Sequence, residues 1–269
     1  MPRLSDFKAL LFDVDTTLTN TERKVSPSVQ AALQKLADAG KILGACTGRP
    51  MIGLRKTVAP LFPKESLHVV SGGAQVVDSS GNPKWEKLLS TEQVQELLEL
   101  ARATGEDFFY LPGPEVGYAT DLFIEKYTAL HDLVPELTPL QNMTPQPIPI
   151  IPFLRVPDAF AEGVKARTDL TLKFSRAEGG YPCIEITALG VNKATAIQEW
   201  CKLQNLTPDQ VIGFGDSSND LEFLQMVGFA VAMGNATPEI KAVADRVIGD
   251  ADQDGLGEYL QEVLEKNEL

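Results

Sequence analysis

Residues 10–19 read LLFDVDTTLT, an apolar run that ends in two aspartates, Asp13 and Asp15, two positions apart. In an extended strand residues i and i+2 point to one face, so the two carboxylates are expected side by side. Two bare carboxylates that close repel, and one is driven to hold a proton. A cation between them relieves the repulsion. So does a reaction that needs one carboxylate ionised and the other protonated.

Working outward, the spacing predicts a strand at 8–12, a helix over 26–40 and a strand at 41–47. Ser26 is a plausible N-cap, Pro27 suits the first turn, Val29, Ala32, Leu33 and Leu36 share a face, and Gly40 suits the stop. Strand, helix, strand at this spacing is a βαβ unit, hence a parallel sheet. A short helix is expected over 50–58, and a strand, glycine turn and strand over 67–78. From Trp85 the texture changes. A helix at 90–105 with a capping box at Ser90 and Gln93 is followed by a strand at 107–111 and a helix at 121–133. Next come six prolines between Pro135 and Pro152, read as an irregular loop or an edge. A helix near 158–168 and two strands, LTLKFS and CIEIT, end this block. After Gly190 the first texture returns, with helices beginning at Lys193 and after Thr237, a helix over 220–227, and strands ending at Asp216 and Met233. The reading is an α/β protein with a Rossmann-like parallel-sheet core from 1–84 and 188–269, and an inserted α/β cap domain at 85–187.

A length of 269 residues suits two domains, and 43% hydrophobic with 23% charged residues is ordinary globular composition. No apolar stretch approaches the ~20 residues of a membrane span, and the N-terminus lacks a signal-peptide core, so a cytoplasmic protein without a membrane partner is expected. A net charge of −13 argues against a nucleic-acid partner. Any anionic substrate must be met by a local cation, from a metal or a placed lysine. Cys46, Cys183 and Cys201 are expected to be free thiols, and His68 and His131 to be structural or surface residues.

Ligands of open parallel sheets bind outside the carboxyl ends of the strands. Asp13, Thr47, Asp216 and the helix start at Lys193 are therefore expected in one crevice. The residue types suit phosphoryl transfer. One carboxylate can attack phosphorus, and a second, protonated one can serve the leaving oxygen and then water. Asp13 and Asp216 suit Mg²⁺, which prefers hard oxygen donors. Thr47 and the amide of Gly48 can hold phosphoryl oxygens, and Lys193 can supply positive charge to them.

In order, DVDTTL, TGR, NK and GDSSND resemble the four motifs of the haloacid-dehalogenase superfamily. The block inserted between the second and third motifs resembles the larger cap of its Cof-type phosphatases, as does the tail over 231–247. The resemblance implies a Mg²⁺-dependent hydrolase of a small phosphorylated metabolite, a sugar phosphate first, through an aspartyl phosphate. A phosphosugar mutase and a silent binding protein are the rival readings. It implies Asp13 as nucleophile and metal ligand, and Asp15 as acid/base with its carbonyl on the metal. Thr47, Gly48, Arg49, Lys193 and Asn219 would hold the phosphoryl group or substrate, and Asp216 and Asp220 would complete the metal site. Three positions depart from the family pattern. Thr16 stands where glycine is usual, Gly72-Gly73-Ala74 replaces Asn-Gly-Ala, and Ala194 replaces glycine.

Overall fold

The computed structural model describes residues 6–112, 117–127, 137–176 and 180–266. The chain divides into two compact units. One comprises 1–48, 55–85 and 192–269, and the other comprises 49–54 and 86–191.

In chain order the first unit opens with β1 (Ala9–Phe12), α1 (Pro27–Asp38), β2 (Ile42–Ala45), β3 (Leu67–Val70), β4 (Gln75–Asp78) and β5 (Pro83–Glu86). The second unit follows with α2 (Thr91–Thr104), β6 (Tyr110–Pro112), β7 (Gly117–Ala119), α3 (Asp121–Tyr127), β8 (Leu137–Pro139), β9 (Ile151–Phe153), α4 (Asp158–Lys165), β10 (Leu170–Arg176) and β11 (Pro182–Ala188). The chain then returns to the first unit with α5 (Lys193–Leu203), β12 (Val211–Gly215), α6 (Leu221–Leu224), β13 (Phe229–Ala232), α7 (Pro238–Val243), β14 (Arg246–Val247) and α8 (Gly255–Glu265).

The main sheet runs β14-β13-β12-β1-β2, parallel throughout. All four residues of β1 are buried, as a strand covered on both faces requires. Phe12 stands opposite Phe214 on β12, and their rings stack at 4.7 Å. Beyond β2, Cys46 pairs in parallel with Val69, which attaches the β3-β4-β5 sheet, whose β3 and β4 are antiparallel. α1 starts where expected. The Ser26 hydroxyl accepts from Val29 N–H, and Val29, Ala32, Leu33 and Leu36 form the buried face.

In the second unit α2 and α4 cover one face of the β10-β11-β9 sheet through Leu97, Leu98, Phe160 and Val164 against Phe153, Ile184 and Ile186. Phe108, Tyr110, Ala119 and Phe123 form a separate smaller cluster. The proline-rich stretch combines both expected forms. Most of 140–150 is irregular, and β9 lies at one end of its three-stranded sheet, with Pro152 opposite Glu185. His131, Pro135 and the expected helix beyond Tyr127 lie outside the described residues.

Two expected helices shrink. Over 50–58 only Met51–Gly53 make a helical turn, and the chain continues through turns in which Lys56 and Thr57 are exposed while Leu54 and Val58 are buried. Over 220–227 the helix is the single turn α6. The chain must reach Gly228, whose N–H donates to the Pro208 and Val211 carbonyls and where a Cβ would meet the Asp209 carbonyl at 1.9 Å.

Candidate active site

The strand reading of residues 13–15 fails in an informative way. β1 stops at Phe12, and Val14–Leu18 form a tight turn in which Asp15 is extended and Thr16 is left-handed at φ 56°. Asp13 still ends the strand. Its N–H donates to Phe214 O at 2.9 Å and its carbonyl accepts from Leu18 N–H. Its carboxylate is buried, whereas Asp15 is exposed one turn further on. The carboxylates that crowd Asp13 come from the far end of the chain instead. Asp13, Asp216 and Asp220 each offer an oxygen within 4.8 Å of the others, a grouping that can hold a metal ion.

Lys193 sits among them. Asn192 caps α5 by accepting from Thr195 N–H, and the first helical residue sends its ammonium to Asp13 Oδ1 at 2.5 Å and Asp220 Oδ1 at 2.6 Å. Burial pulls the Lys193 pKa down, but the two aspartates outweigh it and hold it well above the ordinary lysine value. Burial and the Asp220 charge push the Asp13 carboxyl up against the opposing pull of Lys193. Asp220 is fully engaged, because its Oδ2 accepts from the Asp216 and Ser217 N–H groups at 3.1 Å each. Gly215 permits this approach, since a Cβ there would lie 2.8 Å from the Asp220 side chain.

Asp216 ends β12. Its Oδ1 accepts from Thr17 Oγ1 at 3.0 Å, and its Oδ2 accepts from Thr16 Oγ1 at 2.8 Å and Asn235 Nδ2 at 3.4 Å. Burial pushes this carboxyl up to about 6, with the Thr16 hydroxyl opposing. Three carboxylates and one ammonium leave two negative charges uncompensated, the charge of one divalent cation. Cys46, close enough to feel this field, has its thiol pushed up by burial and is no thiolate nucleophile.

The remaining expected residues fall in the segments that follow β2 and β12. Thr47 is buried, its N–H donating to Val69 O and its carbonyl accepting from Gly72 N–H. Gly73, at φ 101°, lets the glycine turn close on α5, because a Cβ there would lie 2.2 Å from Asn192 O. Asn219 Oδ1 accepts from Ser217 Oγ at 2.6 Å. Asp13, Asp15, Thr47, Gly48, Lys193, Asp216, Asn219 and Asp220 all belong to the first unit, while Arg49 falls in the second. The sequence reading missed Thr16, Thr17 and Asn235 as donors to Asp216. Asn235 also donates to Thr16 O and accepts from Ala251 N–H, so one amide ties three loops together. Its only sequence signal is the short Gly234-Asn235-Ala236 turn after β13.

The parallel sheet thus carries a cluster of three aspartates and a lysine at the carboxyl ends of its strands. The model of the haloacid dehalogenase-like hydrolase family matches residues 10–260, and the chain belongs to that family. It is 26% identical over 265 residues to an HMP-PP phosphatase of Serratia proteamaculans, covering 96% of each chain. It is 25% identical over 256 residues to a 5-amino-6-(5-phospho-D-ribitylamino)uracil phosphatase of Bacillus subtilis, covering 95% of each. Among solved structures, a HAD-superfamily phosphatase from Bacteroides thetaiotaomicron superposes with a TM-score of 0.78 at 25% identity, covering 98% of this chain and 97% of that one. The three cysteines are free, and among the described residues no helix is long and apolar enough to cross a membrane.

Proposed function

We propose that this enzyme is a Mg²⁺-dependent phosphatase of small phosphorylated metabolites that works through a phosphorylated Asp13. One observation carries the reading: Asp13 is buried between a lysine ammonium at 2.5 Å and two further aspartates. The all-oxygen donor set suits Mg²⁺, with Asp13, Asp216 and the Asp15 carbonyl as ligands and Asp220 buttressing them. When bound, the ion neutralises the carboxylate cluster and the incoming phosphate.

The chain's own groups do the rest. Lys193 holds one Asp13 oxygen and leaves the other to attack phosphorus. The P–O bond to the leaving group breaks, and Asp15 supplies the proton that the departing oxygen takes up. Asp15 then removes a proton from water, which attacks the aspartyl phosphate and releases inorganic phosphate. Thr47, the Gly48 amide and Lys193 hold the phosphoryl oxygens, with Asn219 at the rim. Asp15 suits the proton-shuttling role because it is exposed, outside the lysine-bound cluster. Relatives that act on HMP-PP and on a phosphoribitylamino-uracil point to a small organic phosphate, and a sugar phosphate belongs on the same panel.

The test is inorganic phosphate release from small phosphomonoesters, with and without Mg²⁺, for the wild type and Asp13→Asn. The substitution keeps the shape and removes the nucleophile. A loss of at least about 10³-fold in kcat with an unchanged unfolding midpoint is expected. Wild-type turnover in that variant would exclude Asp13 as the nucleophile.

A further inference from the structure

Several cationic side chains of the second unit are matched by carboxylates. Arg167 grips Asp169 and Glu96, Lys173 faces Glu185, and Lys165 faces Glu162. Arg155 differs. Its guanidinium carbon lies 4.4 Å from the centre of the Phe108 ring and 4.7 Å from the centre of the Tyr181 ring. Among the described residues no carboxylate, carbonyl or hydroxyl accepts from its N–H groups. The backbone fixes it there. Leu154 N–H donates to Phe108 O at 2.9 Å, and Val156 N–H donates to Pro182 O at 3.1 Å. The residues on either side of Arg155 are thus tied to Phe108 itself and to Pro182, the residue after Tyr181.

The braces are themselves held. Phe108 is buried, packs on Phe123 at 4.9 Å, and donates its N–H to the buried Glu106 carboxylate at 2.8 Å. Tyr181 is half exposed. A guanidinium is always charged, stacks on aromatic rings and presents a planar fork of donors matched to the paired oxygens of a carboxylate or phosphate. Stacking immobilises it before any ligand arrives, which removes much of the ordering cost of binding.

We propose that Arg155, braced by Phe108 and Tyr181, is an anion site in the second unit that binds a phosphate or carboxylate group of a small molecule. That group is either a second anionic group of the phosphorylated substrate or part of a separate effector, and only the former rests on the phosphatase reading above.

The binding test uses the full chain without Mg²⁺ and inorganic pyrophosphate as the probe, so it stands apart from catalysis. The Arg155 Nε–Hε resonance, assigned by its loss in Arg155→Lys, is expected to shift and saturate. By calorimetry Arg155→Ala should weaken pyrophosphate binding about 10- to 100-fold, the size of one charged, bidentate interaction. Tyr181→Ala should weaken it several-fold, and Tyr181→Phe, which keeps the ring, should leave it unchanged. Thermal unfolding checks that the variants stay folded. A resonance that does not move, or wild-type affinity in Arg155→Ala, overturns the proposal. The source of the anion is then read from paired phosphomonoesters with and without a second anionic group. A KM raised about 10- to 100-fold only for the doubly anionic member assigns the anion to the substrate. An unchanged KM for both, with pyrophosphate binding lost, assigns it to an effector.

Discussion

Thr16 carries the clearest local tension in the molecule. A β-branched residue in the left-handed region is strained by about 1–2 kcal/mol, and here it stands at φ 56° where glycine is usual in the family. Its hydroxyl lies 2.7 Å from Asp15 O and 2.8 Å from Asp216 Oδ2, so one proton serves two of the oxygens assigned to the metal site. A hydrogen bond to a charged acceptor offsets strain of that size. Thr16→Val keeps the branched backbone strain and loses the hydroxyl. It should weaken Mg²⁺ binding about 3- to 10-fold by calorimetry, while Thr16→Ser stays within twofold of wild type; equal affinity in the valine variant would refute the role. Asp13, Lys193, Asp216 and Asp220 were legible in the sequence because each lies in a short motif at a strand end or helix start. The partner that explains Thr16 lies 200 positions away, so the sequence shows only a departure from glycine. Asn235 escapes notice for the same reason.

At the scale of elements, local signals fared better than tertiary ones. The caps at Ser26 and Ser90 were readable because an N-cap bonds within its own first turn, and both accept the expected N–H, as Asn192 and Thr237 do at the starts of α5 and α7. α8 went unread although Leu256, Leu260 and Val263 have helical spacing. Gly255 and Gly257 lower the local propensity, and the turn before the helix is held by Asp254 accepting from Ser26 Oγ at 2.6 Å, a contact across the chain. The glycine turn after β3 is the element most sensitive to one methyl group. Gly73→Ala adds left-handed strain and drives a Cβ into the Asn192 carbonyl, displacing the start of α5 and with it Lys193. A stability loss of about 2–4 kcal/mol in urea unfolding is expected, against about 1–2 kcal/mol for Gly40→Ala, which shares the left-handed strain at φ 80° but where a Cβ meets nothing within 4 Å.

For the whole molecule, buried ionisable groups set how stability depends on pH. Burial raises Glu106 from 4.5 to about 7, so the folded state holds a proton that the unfolded chain has lost, and stability falls as pH rises through that window. Asp216, raised from 3.8 to about 6, acts in the same direction. His68 acts oppositely. Its Nδ1 accepts from Ala45 N–H and burial lowers it from 6.5 to about 4, so stability is lost as pH falls through that range. Glu106→Gln is therefore expected to flatten the decline in urea midpoint between pH 5 and 8, by about 1–3 kcal/mol across the interval. A variant with the wild-type slope would show that Glu106 is not the group responsible.

The central place of β1 has a consequence for how this protein is made. β1 is made before every other strand of its sheet, yet its partner on one side is β12, which begins at Val211, after the whole inserted unit. Until then a four-residue, fully apolar strand has β2 on one side and an unpaired backbone edge on the other. The nascent chain carries that sticky edge until β12 is made, and a stalled or truncated product ending before Val211 keeps it. The acidic cleft depends on the same late arrival, because Lys193, Asp216 and Asp220 are synthesised only after the insertion. Sheet closure and the birth of the cleft therefore belong to one late step, and premature termination costs the cell an aggregation-prone fragment rather than a partly active enzyme.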